Sequence, residues 1–149
     1  MLKDLHTLTP YLDFIRTCNA DPDFRDPMLL TEQQLRRNLL DAPENPNTRV
    51  LGTFEGETLT GVFALLVLED ERYLELLAGL SRSAAAYDEL LAHLKSAYPG
   101  YQADFVYNPR NRLLQKALEA LGAEFEPEQQ KLVLRRAGPY VPDARVVPY

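Results

Sequence analysis

The sequence predicts an α/β domain, a mixed and mainly antiparallel twisted sheet flanked by four helices. Two observations carry that expectation. Between Arg49 and Leu80 three extended, largely apolar segments follow one another across short polar turns, which is the pattern of a meander. After them the hydrophobic period becomes helical, reverts to a strand and becomes helical again, so the element order reads β, α, α, β, β, β, α, β, α, β. A chain of 149 residues, 46% of them hydrophobic, is long enough for one core, and one domain is expected over residues 1–136.

Met1 to His6 is compatible with a short first strand, and Thr9-Pro10 supplies a cap and a first helical position. Tyr11, Leu12, Phe14, Ile15 and Cys18 then give a helix to about Cys18 its apolar face. Asn19 to Met28 reads as loop, because Pro22, Pro27 and the acidic and amide residues around them favour turns. Thr31 with Gln34 is a capping-box pattern for a second helix ending near Leu40. Asp41 to Thr48 is a loop. The hairpin follows as Arg49–Glu55 and Thr58–Leu68 around Gly56-Glu57, its second arm a continuous apolar run expected of a central strand. Beyond the charged turn Glu69–Arg72, Tyr73 to Leu80 forms the third strand of the meander. Alternation places Tyr73, Glu75 and Leu77 on one face and Leu74, Leu76 and Ala78 on the other.

From Ser83 a helix is expected, with Tyr87, Leu90, Leu91, Leu94 and Tyr98 on one face and Pro99-Gly100 at its end. Tyr101 to Tyr107 is a strand, Asn108-Pro109 opens the fourth helix, and Leu113, Leu114, Ala117, Leu118 and Leu121 line its apolar side. Gly122 ends that helix and Lys131 to Leu134 returns as a strand.

A net charge of -6 gives no basic face for phosphate, so no nucleic-acid partner is expected. No apolar run approaches the roughly 20 residues of a membrane span, and a cytoplasmic protein with no membrane association is expected. The single Cys18 excludes a disulfide framework and reads as a small core residue. His6 and His93 are far apart with no ligand-spaced partners, so no metal site is expected.

In its segment Tyr101 to Arg136 the chain resembles the GNAT family of acyl-CoA-dependent N-acetyltransferases, whose C-terminal half carries a strand, a helix with the pattern N-x-x-A-x-x-x-Y-x-x-x-G-F, and a returning strand. Asn111 and Gly122 stand at the family spacing. Leu118 stands where the family has Tyr, often the acid for the leaving thiolate, and Ala123 where it has Phe. The element order agrees with the family across about 130 residues. The resemblance implies acetyl-CoA as cofactor and a small-molecule amine as acceptor. It places the pyrophosphate on Arg82, Ser83, Ala84 and Ala85 at the start of the third long helix, with Asn111 the other matching residue. The family's loop is [QR]-x-x-G-x-[GA]. Arg82 fits its first position, but Ala85 replaces the glycine and Tyr87 the terminal small residue, so the motif is degenerate.

Glu75 is the positional candidate for the base that deprotonates the amine, and its face is either a cleft or solvent. Tyr107 is the nearby phenol that could replace the missing Tyr as acid. These departures imply weak or lost transfer, with a non-catalytic GNAT-like binding or scaffold module as the alternative. Residues 137–149 contain Gly138 and three prolines and read as a linker, or as the start of a further domain of a tandem protein. Pairing with a second copy of the chain is the other expectation for that segment.

Overall fold

The computed structural model describes residues 1–121, 123–125 and 144–146. Among them a five-stranded sheet runs in the order β1-β2-β3-β4-β5, built from Leu2–Asp4 (β1), Thr48–Glu55 (β2), Thr58–Leu68 (β3), Tyr73–Ser81 (β4) and Gln102–Phe105 (β5). The first four strands are antiparallel to their neighbours, and β5 joins β4 in parallel. The helix Ala84–Ala97 (α3) makes the connection from β4 to β5 that a parallel pair requires. Four helices flank the sheet: Leu12–Ala20 (α1), Glu32–Leu35 (α2), α3, and Arg112–Leu121 (α4). Ala123–Phe125 (β6) and Ala144–Val146 (β7) pair in parallel as a separate two-stranded sheet. The expected ending at Gly122 and the expected strand Lys131–Leu134 lie outside the described residues.

Each sheet face has its own core. Leu65, Val67, Leu74, Leu76 and Phe105 pack with α3 and α4 on one side. Val50, Val62, Ala64, Ala78 and Leu80 pack with α1 and the segment Leu29 to Ala42 on the other. The meander forms as its sequence requires: Gly56, at φ 64, takes the left-handed position of the β2–β3 turn, which glycine adopts at no steric cost. The apolar run of β3 is the central strand, with Val62 to Leu65 fully buried.

Among the local details that differ from the sequence reading, three have a visible reason. The second helix is α-helical only to Leu35. Arg36–Leu40 is a π turn, in which the Asp41 amide bonds the Arg36 carbonyl. Asn38 and Leu39 are consequently buried together, Asn38 donating to the Met28 carbonyl at 2.8 Å. The fourth helix starts at Arg112 rather than at Asn108-Pro109. Asn108 spends its carbonyl oxygen on the Arg110 amide and its amide group on the Pro22 carbonyl, while Asn111 caps the helix by accepting from Leu114 N at 3.1 Å.

The third difference is in β4, where Leu65 pairs with Leu76 but Ala64 pairs with Ala78, so Leu77 is an extra residue in a β-bulge. Simple alternation would keep Leu74, Leu76 and Ala78 on one face. The bulge instead moves Ala78 and Leu80 to the α1 side while Leu74 and Leu76 stay on the α3 side.

Candidate functional site

The parallel pairing of β4 with β5 runs from Tyr73/Gln102 to Leu76/Phe105 and then ends, although β4 continues to Ser81. Above that point β4 and the chain leaving β5 enclose a wedge. At its mouth stand the starts of α3 and α4, the ends of helices that favour anions.

The loop between α1 and α2 fills this wedge. Leu76 and Gly79 line one wall, Tyr107 and Asn111 the other, with Asp26 and Pro27 between them, and the remaining cavity is about 10 Å³. That is at the lower limit of the space one water molecule needs. Asp26 is 5% exposed and makes the decisive contact: its Oδ2 accepts from the Gly79 amide at 2.5 Å, and its Oδ1 accepts from Met28 N at 2.7 Å. Burial pushes the Asp26 carboxyl up to about 7, while the two amide donors pull it the other way. Nothing in the sequence distinguished Asp26 from the other aspartates of its loop, since Asp21 precedes a proline just as Asp26 does.

Of the residues proposed for the cofactor phosphate, Arg82, Ser83 and Asn111 are engaged locally. Ser83 caps α3, its hydroxyl accepting from Ala86 N at 3.3 Å, and its own amide donates to Ser81 Oγ at 2.9 Å. Ala84 and Ala85 form the first turn of α3 rather than an open loop. Arg82 donates to the Thr17 carbonyl at 3.2 Å and sits 3.4 Å from Asp21. Asn111 is 3% exposed, and both ends of its side chain are used, the oxygen on α4 and the nitrogen on the Tyr87 hydroxyl at 2.9 Å. Tyr87 does not stand in the phosphate position. Its ring is buried edge-on to Phe63, and its hydroxyl donates to the Ser81 carbonyl at 2.9 Å, tying α3 to the end of β4.

Glu75 and Tyr107 do not converge. Glu75 lies on the paired half of β4, half-buried, opposite Leu66 on β3 and Asp104 on β5. Directly opposed residues of a sheet point to the same face, so Glu75 and Asp104 stand side by side, about 5 Å apart at their backbones. Tyr73, two residues earlier on that face, donates its hydroxyl to Asp104 at 2.6 Å. Burial first, and then the Asp104 bond, push the Tyr73 phenol above its ordinary range, which keeps its proton in place. Sequence reasoning missed Asp104 because its neighbour depends on strand register. An acidic residue between the apolar Ala103 and Phe105 was the available signal.

Tyr107 belongs to the opposite core, packed with Leu114 and Leu118 of α4. Its phenol is pushed up by burial and by the Glu119 charge, with Arg112 opposing. Leu118, at the position of the family's Tyr, is fully buried. Among the described residues no group of three or more metal-ligating side chains occurs, and no helix is long and apolar enough to cross a membrane.

A meander whose last strand pairs in parallel with the next across a helical crossover, and then separates from it, defines the fold as GNAT-like. The comparisons agree. A structure described as a "putative acetyltransferase" superposes with a TM-score of 0.51 at 25% identity, covering 98% of this chain and 79% of that one. A "putative ribosomal-protein-serine acetyltransferase" from Vibrio cholerae superposes with a TM-score of 0.54 at 15% identity, covering 98% and 91%. No family model matches the sequence, and no curated protein matches it significantly.

With the α1–α2 loop seated, the wedge has no room for coenzyme A. The loop occupies the wedge, the amide of Ser83 and the cation of Arg82 are already bonded within the chain, and Leu118, a hydrocarbon side chain at the position of the family's Tyr, has no proton to give.

Proposed function

We propose that this chain is an acyltransferase-fold protein of the acetyl-CoA and amine class whose transfer activity, in the isolated chain, is weak or lost. The observation that carries the reading is the β4–β5 pair, which separates after Leu76/Phe105 between two helix N-termini. Similarity to acetyltransferase structures supports the fold, and the half-buried Glu75, Asp104 and Tyr73 supply an acidic surface suited to an ammonium group. Glu75 is the base of this reading, taking the amine proton directly or through water. Loss of activity follows from the filled wedge and from Leu118. General acid catalysis is typically worth 10²–10⁴-fold, or roughly 3–5 kcal/mol of barrier.

The second reading, a non-catalytic binding or scaffold module within a larger tandem assembly, is favoured by the internal bonds of Arg82 and Asn111, which are structural as they stand. Calorimetric titration with acetyl-CoA, followed by assay against a panel of amines, tests both. The expected dissociation constant is in the high micromolar range or weaker, about 5 kcal/mol of binding free energy, with turnover near background. Tight binding with brisk turnover would establish an efficient enzyme and remove the claim of weakness. Complete absence of binding would favour the scaffold.

A further inference from the structure

The α1–α2 loop does more than fill space, because its acidic side chains meet the groups at the wedge that attract anions. Asp21 lies 3.4 Å from the Arg82 guanidinium, just before α3. Asp23 pairs with Arg110, just before α4, at 2.8 Å. Asp26 takes the Gly79 amide on the unpaired part of β4, and Pro22 accepts from the Asn108 side chain at 2.8 Å. Three carboxylates on one short loop thus occupy the cations at both helix starts and an inward-facing backbone donor.

We infer that the segment Asp21–Pro27 is a built-in competitor for the wedge, its carboxylates holding Arg82, Arg110 and the Gly79 amide against a phosphorylated ligand. The inference rests on the acyl-CoA reading of the wedge and adds its regulation. The strength of the contacts makes displacement feasible. Arg110 and Asp23 are 67% and 55% exposed, and pairs of that kind contribute little to stability and are screened by salt. A ligand carrying several phosphate charges outcompetes them through charge-assisted bonds to the same arginines. Asp26 is the one deep anchor, and the loop closes fully only when it is seated.

The test uses the whole chain and its Asp21→Asn/Asp23→Asn variant. Asparagine keeps the local bond from the Asp23 amide to the side chain at position 21 and removes only the charges. Amide hydrogen exchange at Gly79 reports the seated loop, and calorimetry with coenzyme A reports the wedge. The expected result is at least twofold faster exchange at Gly79 and at least twofold tighter coenzyme A binding in the variant, the gain reversed by adding Arg82→Gln. Unchanged exchange with firm coenzyme A binding by the unaltered chain overturns the loop's role and leaves the acyl-CoA reading standing. Faster exchange with no coenzyme A binding in either protein overturns both.

Discussion

The two halves of β4 make an instructive comparison. From Tyr73 to Leu76 the strand is paired on both edges, by β3 and by β5, and its backbone needs nothing further. From Leu77 to Ser81 the β5 edge is open, and the Gly79 amide is met by a side chain from a distant loop. One half is held by strand pairing on both edges, the other by β3 on one edge and by a buried carboxylate on the other. The bulge at Leu77 marks the border and also turns the strand's apolar side chains from the α3 core to the α1 core. Regular pairing spreads its energy over many bonds, whereas the open half concentrates it on Asp26, so substitutions should be felt very unequally.

The largest effect is expected for Asp26→Ala. It strips the partners from two amides, Gly79 N and Met28 N, in a site with no room for more than one water. Leaving a buried donor unsatisfied costs about 1–3 kcal/mol, so a loss of about 3 kcal/mol is expected at pH 5, where the contribution of Asp26 is fully present, a fall in Tm of about 9 °C for a domain of this size. Thermal and urea denaturation measure it. A loss under about 0.5 kcal/mol, the level of an ordinary surface substitution, would mean that the open half of β4 is held by something other than Asp26.

Next in size is the pH dependence of the same group. The folded carboxyl is pushed up to about 7, above its ordinary value, so the folded state keeps a proton that the unfolded chain has already released. Its contribution is therefore present at low pH and lost as pH rises toward 7, which amounts to about 2 kcal/mol between pH 5 and 7. His93 acts in the opposite direction, since burial and the nearby Arg49 lower it. The measurement is accordingly the difference between the unaltered chain and Asp26→Asn across that range. Its neighbours Cys18 and Tyr87 are both pushed up by burial, Cys18 to about 11, and stay uncharged there. A difference that does not change with pH would show that the carboxyl is ionised throughout.

Smaller again is Tyr87→Phe, which keeps the ring in the core and removes one hydroxyl. That hydroxyl joins the Ser81 carbonyl to the Asn111 side chain, so the end of β4, α3 and the cap of α4 share one buried network. About 1.5 kcal/mol is expected. Asn111→Ala should cost at least as much, because it removes the cap as well. Equal effects of the two single variants and of their combination would show the network acting as a unit.

The legibility of the sequence follows the same division. Where an element is set by local periodicity or turn chemistry, reading it was straightforward: the meander with Gly56 at its turn, the Thr31–Gln34 capping box, and Ser83 at the start of α3 all occur where their residues put them. The helix between them in the element order is what a parallel β4–β5 pair requires. What the sequence hid depends on contacts between distant residues. The bulge at Leu77 leaves no compositional mark, the π turn at Arg36–Leu40 exists because Asn38 reaches Met28, and Asn108 is taken from the helix cap by Pro22. The candidate site was legible in its position and illegible in its state. Asp26 reaches Gly79 across 53 residues, a pairing no local pattern encodes.

The smallest effect on stability, and the most informative on function, is expected for Glu75→Gln. Glu75 lies on the half of β4 that is held by strand pairing, it is only half-buried, and glutamine preserves its size and most of its hydrogen-bonding capacity. Removing one of two adjacent carboxylates also relieves repulsion with Asp104, which offsets whatever contact the substitution disturbs. The net change in unfolding free energy should stay within about 0.5 kcal/mol. Any residual transfer to an amine, by contrast, should fall to background, because an amide cannot take the proton. The companion variant Asp104→Asn sharpens the assignment. If Asp104 acts only by its charge beside Glu75, transfer should fall a few-fold rather than to background. Rates for both variants, measured in the Asp21→Asn/Asp23→Asn background, separate a base from a surface charge. Undiminished transfer in Glu75→Gln would move the proton acceptor away from the paired half of β4.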